Sequence, residues 1–421
     1  MVKLEQIFVM KGRCFLSTIR FLHTADLHLD SPFKGMTGMP PARLHELRES
    51  TFTAFNSLIE YAVETSPDFL LIVGDVYDGE DRSLRAQQKF QYGMERLNEA
   101  GIPVYITYGN HDHLSGNWTR FKLPPNVYEF SGEVEEVGFT VRDLNVVLHG
   151  FSYPNRHVRE EMISNYSTAS DNDSVHIGLL HGSLAGNDAH AVYAPFTIGE
   201  LQSKRYDYWA LGHIHQRQQL SVEPPIVYPG NIQGRHRNES GEKGFYEVEL
   251  STSESILSFI PTSAIHFGRL QIPCTGIQHA NEWLAVCEEE LLAYTVDHGP
   301  SVVDIEILLL DEGTAAFFQQ TAETVWLDAL REVMEGNEPF VWVQRLKSID
   351  TLQHKDNNAL VESVLGQVDS WSSEEWKRML QDVYQHVRTA RYLDPLTEQD
   401  IYELRNELEK LLANELPTGM R

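Results

Sequence analysis

Apolar and polar positions set two alternating periods over the first hundred residues. Residues 21–29 are an apolar run that ends in polar, ligand-type side chains, as a buried strand does at its exit. Residues 41–64 repeat Leu44, Leu47, Phe52, Phe55, Leu58, Ile59 and Ala62 at three- and four-residue steps, which predicts a helix. Residues 68–76 are continuously apolar up to Gly74-Asp75, and 84–100 are again helical, stopping at Gly101. A third strand, 102–108, runs into Gly109-Asn110-His111-Asp112. This β-α-β-α-β order predicts parallel strands covered by helices, with functional residues just past the strands' C-terminal ends.

Beyond that point short apolar runs recur between Gly, Pro and Asn turns: 127–130, 141–153, 175–181, 206–211, 226–228, 244–250 and 256–260. They predict an α/β fold whose catalytic part, residues 19–265, is a two-sheet sandwich with helices outside. Residues 266–350 read as a small α/β unit, with strands at 268–272, 302–310 and 340–348 and helices at 281–294 and 314–333. Residues 351–421 read as helical, over 359–368, 372–388 and 397–415, with Ser372 and Thr397 as N-caps and an apolar stripe at Leu404, Leu408, Leu411 and Leu412. Residues 1–18 precede the first motif strand as an extension.

Composition narrows the picture. A 42% hydrophobic content over 421 residues supplies a core, and the formal charge of -27 argues against a self-sufficient, non-specific nucleic-acid binder. The acid is uneven: residues 266–421 hold 12 Lys+Arg against 28 Asp+Glu, so basic proteins suit that part better than DNA. Cys14, Cys274 and Cys287 are odd in number and far apart, which points away from disulfides and thiolate zinc and toward a reducing cytoplasm. No apolar run approaches the roughly 20 residues of a membrane span, and the apolar stretch at 7–10 is too short for a signal peptide.

Five short motifs carry the chemistry. Asp26-Leu27-His28 places a carboxylate and an imidazole at i and i+2, on one side of an extended strand. Asp75 can bridge two cations with its two oxygens. Asn110 offers a neutral oxygen, His111 is free for acid–base work, and Asp112 can hold the His111 imidazole in one tautomer. His181-Gly182 and Gly212-His213-Ile214-His215 supply three more imidazoles. Five such motifs, each behind an apolar strand, are not independent accidents. The metal set Asp26, His28, Asp75, Asn110, His181, His213 and His215 contains no cysteine, so it suits Mn²⁺, Mg²⁺, Fe or Zn in near-octahedral sites. Arg235, His236, Arg237 and Lys243 are the densest basic group near these motifs and face DNA phosphates or a solvated hairpin. Trp118, Arg120 and Lys122 are stacking or steering candidates, while His149, His176 and His190 read as structural.

The motif order, from residue 20 to 250, resembles that of the calcineurin-like metallophosphoesterases. The wording of residues 21–29 and of 228–234 is similar to their SbcD-like DNA-repair exonuclease branch, and within it to bacterial YhaO-type proteins. The resemblance implies a four-layer α/β/β/α sandwich, a small capping domain, and a C-terminal segment that binds a coiled-coil, SMC-like ATPase. It implies one metal, most often Mn²⁺, on Asp26, His28, Asp75 and His215, and a second on Asp75, Asn110, His181 and His213, with His111 as general acid. DNA would be the substrate and a homodimer the assembly. The alternatives are a phosphatase for small nucleotides or phosphoproteins, and a scaffold subunit. One departure stands out: the branch carries a histidine three residues after the bridging aspartate, and here that place is Asp78, which bears on substrate handling.

Overall fold

A computed structural model of the protein describes residues 18–33, 35–36, 38–79, 83–116, 121–170, 173–185, 193–251, 254–351 and 371–380. The chain divides into two compact units. The first holds residues 1–268, 294–303 and 336–344; the second holds 269–293, 304–335 and 345–421.

In the first unit, strands β1 (Ile19–Thr24), β2 (Phe69–Val73), β3 (Val104–Thr107) and β4 (Val127–Glu129) alternate with helices α1 (Pro41–Thr65) and α2 (Leu84–Glu99). Strands β5 (Glu135–Val141), β6 (Leu144–Gly150) and β7 (Ser174–His181) follow, then the short helix α3 (Ile198–Ser203). The unit continues with β8 (Tyr208–Gly212), β9 (Gln218–Val222), β10 (Pro225–Tyr228), β11 (Gly244–Leu250) and β12 (Ser255–Pro261). One sheet has the order β12-β11-β1-β2-β3-β4 and the other β5-β6-β7-β8-β10-β9.

Period-2 alternation explains the layering. In β2, Phe69, Leu71 and Val73 join Phe21, Tyr105, Leu148, Ile177, Leu179 and Ala210 in the core between the two sheets. The intervening Leu70 and Ile72 instead meet Phe55, Leu58 and Phe90 of the helices. Both faces are buried, so the strand is wholly apolar rather than alternating. Phe21 stacks on Phe69 with ring centroids 4.9 Å apart. Side chains of this size each contribute about 1.5–3 kcal/mol by leaving water. The outer face of the second sheet is covered by α3 and residues 151–169, through Phe151, Tyr166, Leu201 and Trp209. The result is the four-layer α/β/β/α sandwich.

Helix ends follow local chemistry. Ser83 Oγ accepts from the Ala86 N–H at 2.9 Å to cap α2. Thr197 and Glu200 form a reciprocal capping box on α3.

Three further strands, β13 (His266–Cys274), β14 (Ser301–Leu309) and β15 (Val341–Asp350), form a sheet in that order, accompanied by helices α4 (Ala280–His298), α5 (Glu312–Phe318) and α6 (Glu323–Met334). The division does not follow a single cut at residue 265. Val302, Phe340 and Trp342 belong to the first unit and share a core with Phe33, Met39, Leu47, Ile265 and Phe267. In the second unit, Trp283 packs edge-on to Phe318 and Trp326.

The strand expected over 141–153 is part of a hairpin whose first arm, β5, is half exposed and so carries no continuous apolar signal. Strand β9 and helix α3 are also additions. The helix expected over 314–333 is two, α5 and α6. At the C-terminus, helix α7 (Ser373–Met379) starts on the expected cap, with a capping box between Ser372 and Glu375. The expected helices over 359–368 and 397–415, with the Leu404 stripe, lie outside the described residues, as do residues 1–17. Among the described residues no helix is long and apolar enough to cross a membrane.

Candidate metal centre

The parallel strands β1, β2 and β3 end at one edge of their sheet, and β7 and β8 end beside them. Each motif begins where a strand stops, but the pleat does not aim the side chains. Asp26, His28 and Asp75 all have left-handed backbones, with φ of 52°, 42° and 51°. The i, i+2 pair Asp26/His28 therefore converges through a coiled loop rather than an extended strand. That loop is zipped to the next by Asp26 N–H to Gly74 O at 3.1 Å and His28 N–H to Asp75 O at 3.0 Å. The two histidines of Gly212-His213-Ile214-His215 also lie past the end of a strand, β8. His213 has φ 99°, and its ring turns toward Asn110 while His215 turns toward His28.

Two glycines make room for this convergence. Gly74 has φ +81°, and a Cβ on it would sit 2.0 Å from His181 Nδ1. A Cβ on Gly109 would sit 2.4 Å from Asp75 Oδ1 and 2.6 Å from His181 Nε2. Neither position admits a side chain without displacing a candidate ligand.

Donor atoms gather in two groups. In one, His28 Nε2 and His215 Nε2 are 3.0 Å apart and lie 3.9 and 3.8 Å from Asp26 Oδ1. In the other, His181 Nε2 and His213 Nδ1 lie 3.1 and 3.3 Å from Asn110 Oδ1. Asp75 Oδ2 faces both, 3.7 Å from His28 Nε2 and 3.5 Å from His181 Nε2. Asp26, His28, Asp75 and His181 are essentially inaccessible to water.

The outer ring nitrogens each face an acceptor. His215 Nδ1 is 2.6 Å from Glu239 Oε1, an acceptor, and 3.0 Å from Arg235 Nη2, and a hydrogen on Nδ1 suits the shorter contact. His28 Nδ1 is 3.2 Å from Asp78 Oδ1, and His181 Nδ1 is 3.1 Å from the Val73 carbonyl. With hydrogens on both Nδ1 atoms, the Nε2 lone pairs of His28 and His215 face each other at 3.0 Å, an arrangement that a cation between them would stabilise. The donor set fits divalent metal ions.

The electrostatics agree. Burial pushes the Asp26 carboxyl above its ordinary range, against the pull of His215 and His181. Burial also disfavours charge on Asp75 and His181, but their mutual attraction outweighs it. The Asp75 carboxyl is held well below the usual range and His181 is pushed up to about 9. His28 is pushed down to about 3 by burial and by Arg235. In effect a proton on His181 stands where a cation's charge would stand.

His111 is half exposed at the rim, its ring 5.0 Å from that of His28, and its N–H donates to Asp75 Oδ1 at 2.9 Å. Asp112 is buried behind His111. Its two oxygens accept the backbone N–H groups of Gly109 and Val76, both at 2.7 Å. It therefore orients the loop that carries His111, and the Asp78 carboxylate also approaches the ring.

A two-lobed cleft opens on this centre. One lobe, about 530 Å³, is lined by Asp75, Ile214, Gln216, Asn238, Ser240 and Lys243; the other, about 580 Å³, by Ser31, Phe33, Asp78 and Arg156. Asn110, His111, Arg235 and His236 line both. His236 is half exposed, whereas Arg235 is folded down onto Asp78 at 2.6 Å. Lys243 is buried and donates to the His215 carbonyl at 2.8 Å, so it braces the loop rather than facing solvent. Lys122 is exposed and lines neither lobe; Trp118, Arg120 and His190 lie outside the described residues. His149 and His176 pair with each other at 2.9 Å beneath Tyr206. Glu239 is the residue that sequence reading missed, because within Arg235–Lys243 a carboxylate looks like solvated surface.

The family model for calcineurin-like phosphoesterase matches residues 19–217. The uncharacterized metallophosphoesterase YhaO of Bacillus subtilis is 34% identical over 409 residues, covering 95% of this chain and 98% of that protein. The chain belongs to the calcineurin-like metallophosphoesterase family. More distant relatives of this metallophosphoesterase include the DNA double-strand break repair protein Mre11 of Thermoplasma acidophilum, 24% identical over 58% of this chain and 65% of that protein. Mre11 of Aeropyrum pernix is 30% identical over 50% of this chain and 53% of its own length.

Proposed function

We propose that this metallophosphoesterase is a two-metal phosphodiesterase that acts on DNA. The observation that carries the reading is the place of Asp75, whose Oδ2 faces both donor groups at 3.5 and 3.7 Å. Asp26, His28, Asp75 and His215 would hold one cation and Asp75, Asn110, His181 and His213 the other. When bound, two divalent ions neutralise phosphate oxygens and supply hydroxide at neutral pH; Mn²⁺ suits this mixed oxygen and imidazole set.

The chain's own residues do the rest. His111, at the junction of the two lobes, donates a proton to the leaving oxygen, a role worth roughly 10²–10⁴-fold. Asp112 and Asp75 fix its backbone. His236 and Arg156 line the cleft and meet phosphates on either side. DNA as the substrate is supported by what the Mre11 relatives are named for and by a two-lobed cleft whose lobes share Asn110, His111, Arg235 and His236. An SMC-like ATPase partner, reached through the C-terminal region, would supply the basic surface that a chain of charge -27 lacks.

The test is hydrolysis of labelled linear DNA by the purified protein in Mn²⁺, beside bis-(p-nitrophenyl) phosphate, with chelator and Asp75→Ala controls. Metal-dependent DNA cleavage that disappears in Asp75→Ala is the expected result. Cleavage of the small ester with DNA left intact would move the substrate to nucleotides. Failure on both, with metal bound, would refute the enzyme reading.

A further inference from the structure

Arg235 sits in the loop between β10 and β11 with its side chain only 13% exposed, unusual for a cation that lines a cleft. Its Nη1 donates to Asp78 Oδ1 at 2.6 Å, and its Nη2 lies 3.3 Å from Glu239 Oε1 and 3.0 Å from His215 Nδ1. Each carboxylate has a second partner. Asp78 Oδ1 is 3.2 Å from His28 Nδ1, and Glu239 Oε1 is 2.6 Å from His215 Nδ1. These are the two histidines whose Nε2 atoms face each other at 3.0 Å beside Asp26. Ser31 Oγ adds a bond to Asp78 at 3.1 Å, and Asn231 Nδ2 adds one to Glu239 at 2.8 Å. The other donor group has a different support: His181 Nδ1 rests on the Val73 carbonyl at 3.1 Å.

Resting on the two-metal reading above, we propose that Arg235 is a positioning residue that builds one of the two cation positions selectively. It clamps the two carboxylates that aim His28 and His215 at the ion. A planar guanidinium suits the task, because its fork reaches two carboxylates at once, whereas an ammonium is a single point charge. The clamp also accounts for Asp78. A carboxylate at this position serves as the anionic partner of Arg235, which an imidazole could not. Asp78 and Arg235 therefore work as a pair in this chain, and Arg235 acts on the metal more than on substrate phosphate. Without Arg235, two carboxylates with side chains 14% and 6% exposed lose their shared cation.

The test is equilibrium dialysis of the full chain against Mn²⁺, with bound metal counted per chain, beside the visible spectrum of the Co²⁺-loaded protein. Wild type binds two ions. In Arg235→Ala one of the two affinities falls roughly 10–100-fold, the range seen when outer partners of metal-bound histidines are removed, and the other stays the same. Arg235→Lys falls in the same direction, and Arg142→Ala, which removes an exposed cation paired with Asp68 outside the cleft, changes neither. At saturating Mn²⁺ the KM of Arg235→Ala for bis-(p-nitrophenyl) phosphate stays near wild type, whereas loss of a phosphate contact would raise it. Asp78→Asn opens the clamp from its other end and gives the same selective loss should Arg235→Ala not fold. Two unchanged affinities in either folded variant would overturn the clamp. A wild type that binds fewer than two ions would instead overturn the two-metal reading, and the two failures are thereby distinguished.

Discussion

Gly109→Ala adds one methyl group at the most crowded point of the centre. The new carbon would lie 2.4 Å from Asp75 Oδ1 and 2.6 Å from His181 Nε2, where ordinary van der Waals contact begins at 3.4 Å. One or both ligands must therefore retreat by about 1 Å, because a well-packed interior has little slack. Gly109 has no left-handed backbone to strain, so the effect is steric alone. Asp75 Oδ1 also accepts the His111 N–H at 2.9 Å, so its retreat disturbs the proposed proton donor as well. Overpacking of this kind costs about 1–3 kcal/mol of stability. A ligand misplaced by about 1 Å costs on the order of 10²-fold in rate. The assay measures Mn²⁺ bound per chain, kcat on bis-(p-nitrophenyl) phosphate and thermal unfolding, with Gly138→Ala as control. Gly138 lies on β5, and a methyl group added there would meet nothing within 4 Å, so that variant should match wild type. Gly109→Ala that keeps two ions and loses less than about threefold in kcat would refute the steric account.

His111→Asn should lower kcat by roughly 10²–10⁴-fold while Mn²⁺ per chain is unchanged, as metal counts on the same samples would check. Stripping the protein with chelator should lower its melting temperature, because Asp26 and Asp75 lose the ions that compensate them. Each ion present at a hundredfold excess over its Kd stabilises by about 2.7 kcal/mol, and an unchanged melting temperature would contradict this. His23 is fully buried between Tyr208 Oη and the Leu211 carbonyl, and burial pushes it down to about 3. The unfolded chain then binds a proton on His23 between pH ~6.5 and 3 that the native state refuses, so stability rises with pH and falls as pH drops through that window. In urea unfolding of metal-free protein, His23→Gln should remove up to about 1.4 kcal/mol per pH unit from that slope, and an unaltered slope would count against the assignment.

What the sequence made legible follows burial. Strands β1, β2 and β3 are covered on both faces, so their apolar runs announce them, and the motif at each strand's end is read from the residue types alone. The gaps have physical causes. Strand β9 is exposed, with Val222 at 70%, and β5 shows one half-wet face, so neither presents a run. The α5–α6 break falls at 319–322 within a stretch that has neither Gly nor Pro, and Phe317, Phe318 and Trp326 continue the apolar pattern across it. The left-handed loops at Asp26, His28 and Asp75 are tertiary, zipped by hydrogen bonds between loops from different strands, and no i, i+2 rule foresees them. Glu239 and Asp78 take their roles from partners far away in sequence, His215 and His28, where local pattern carries no signal.

Anomalous scattering from Mn²⁺-loaded crystals tests the central claim most directly. Two peaks are predicted, one among Asp26, His28, Asp75 and His215 and one among Asp75, Asn110, His181 and His213, with Asp75 touching both. A single peak, or two peaks that do not share Asp75, would contradict the account.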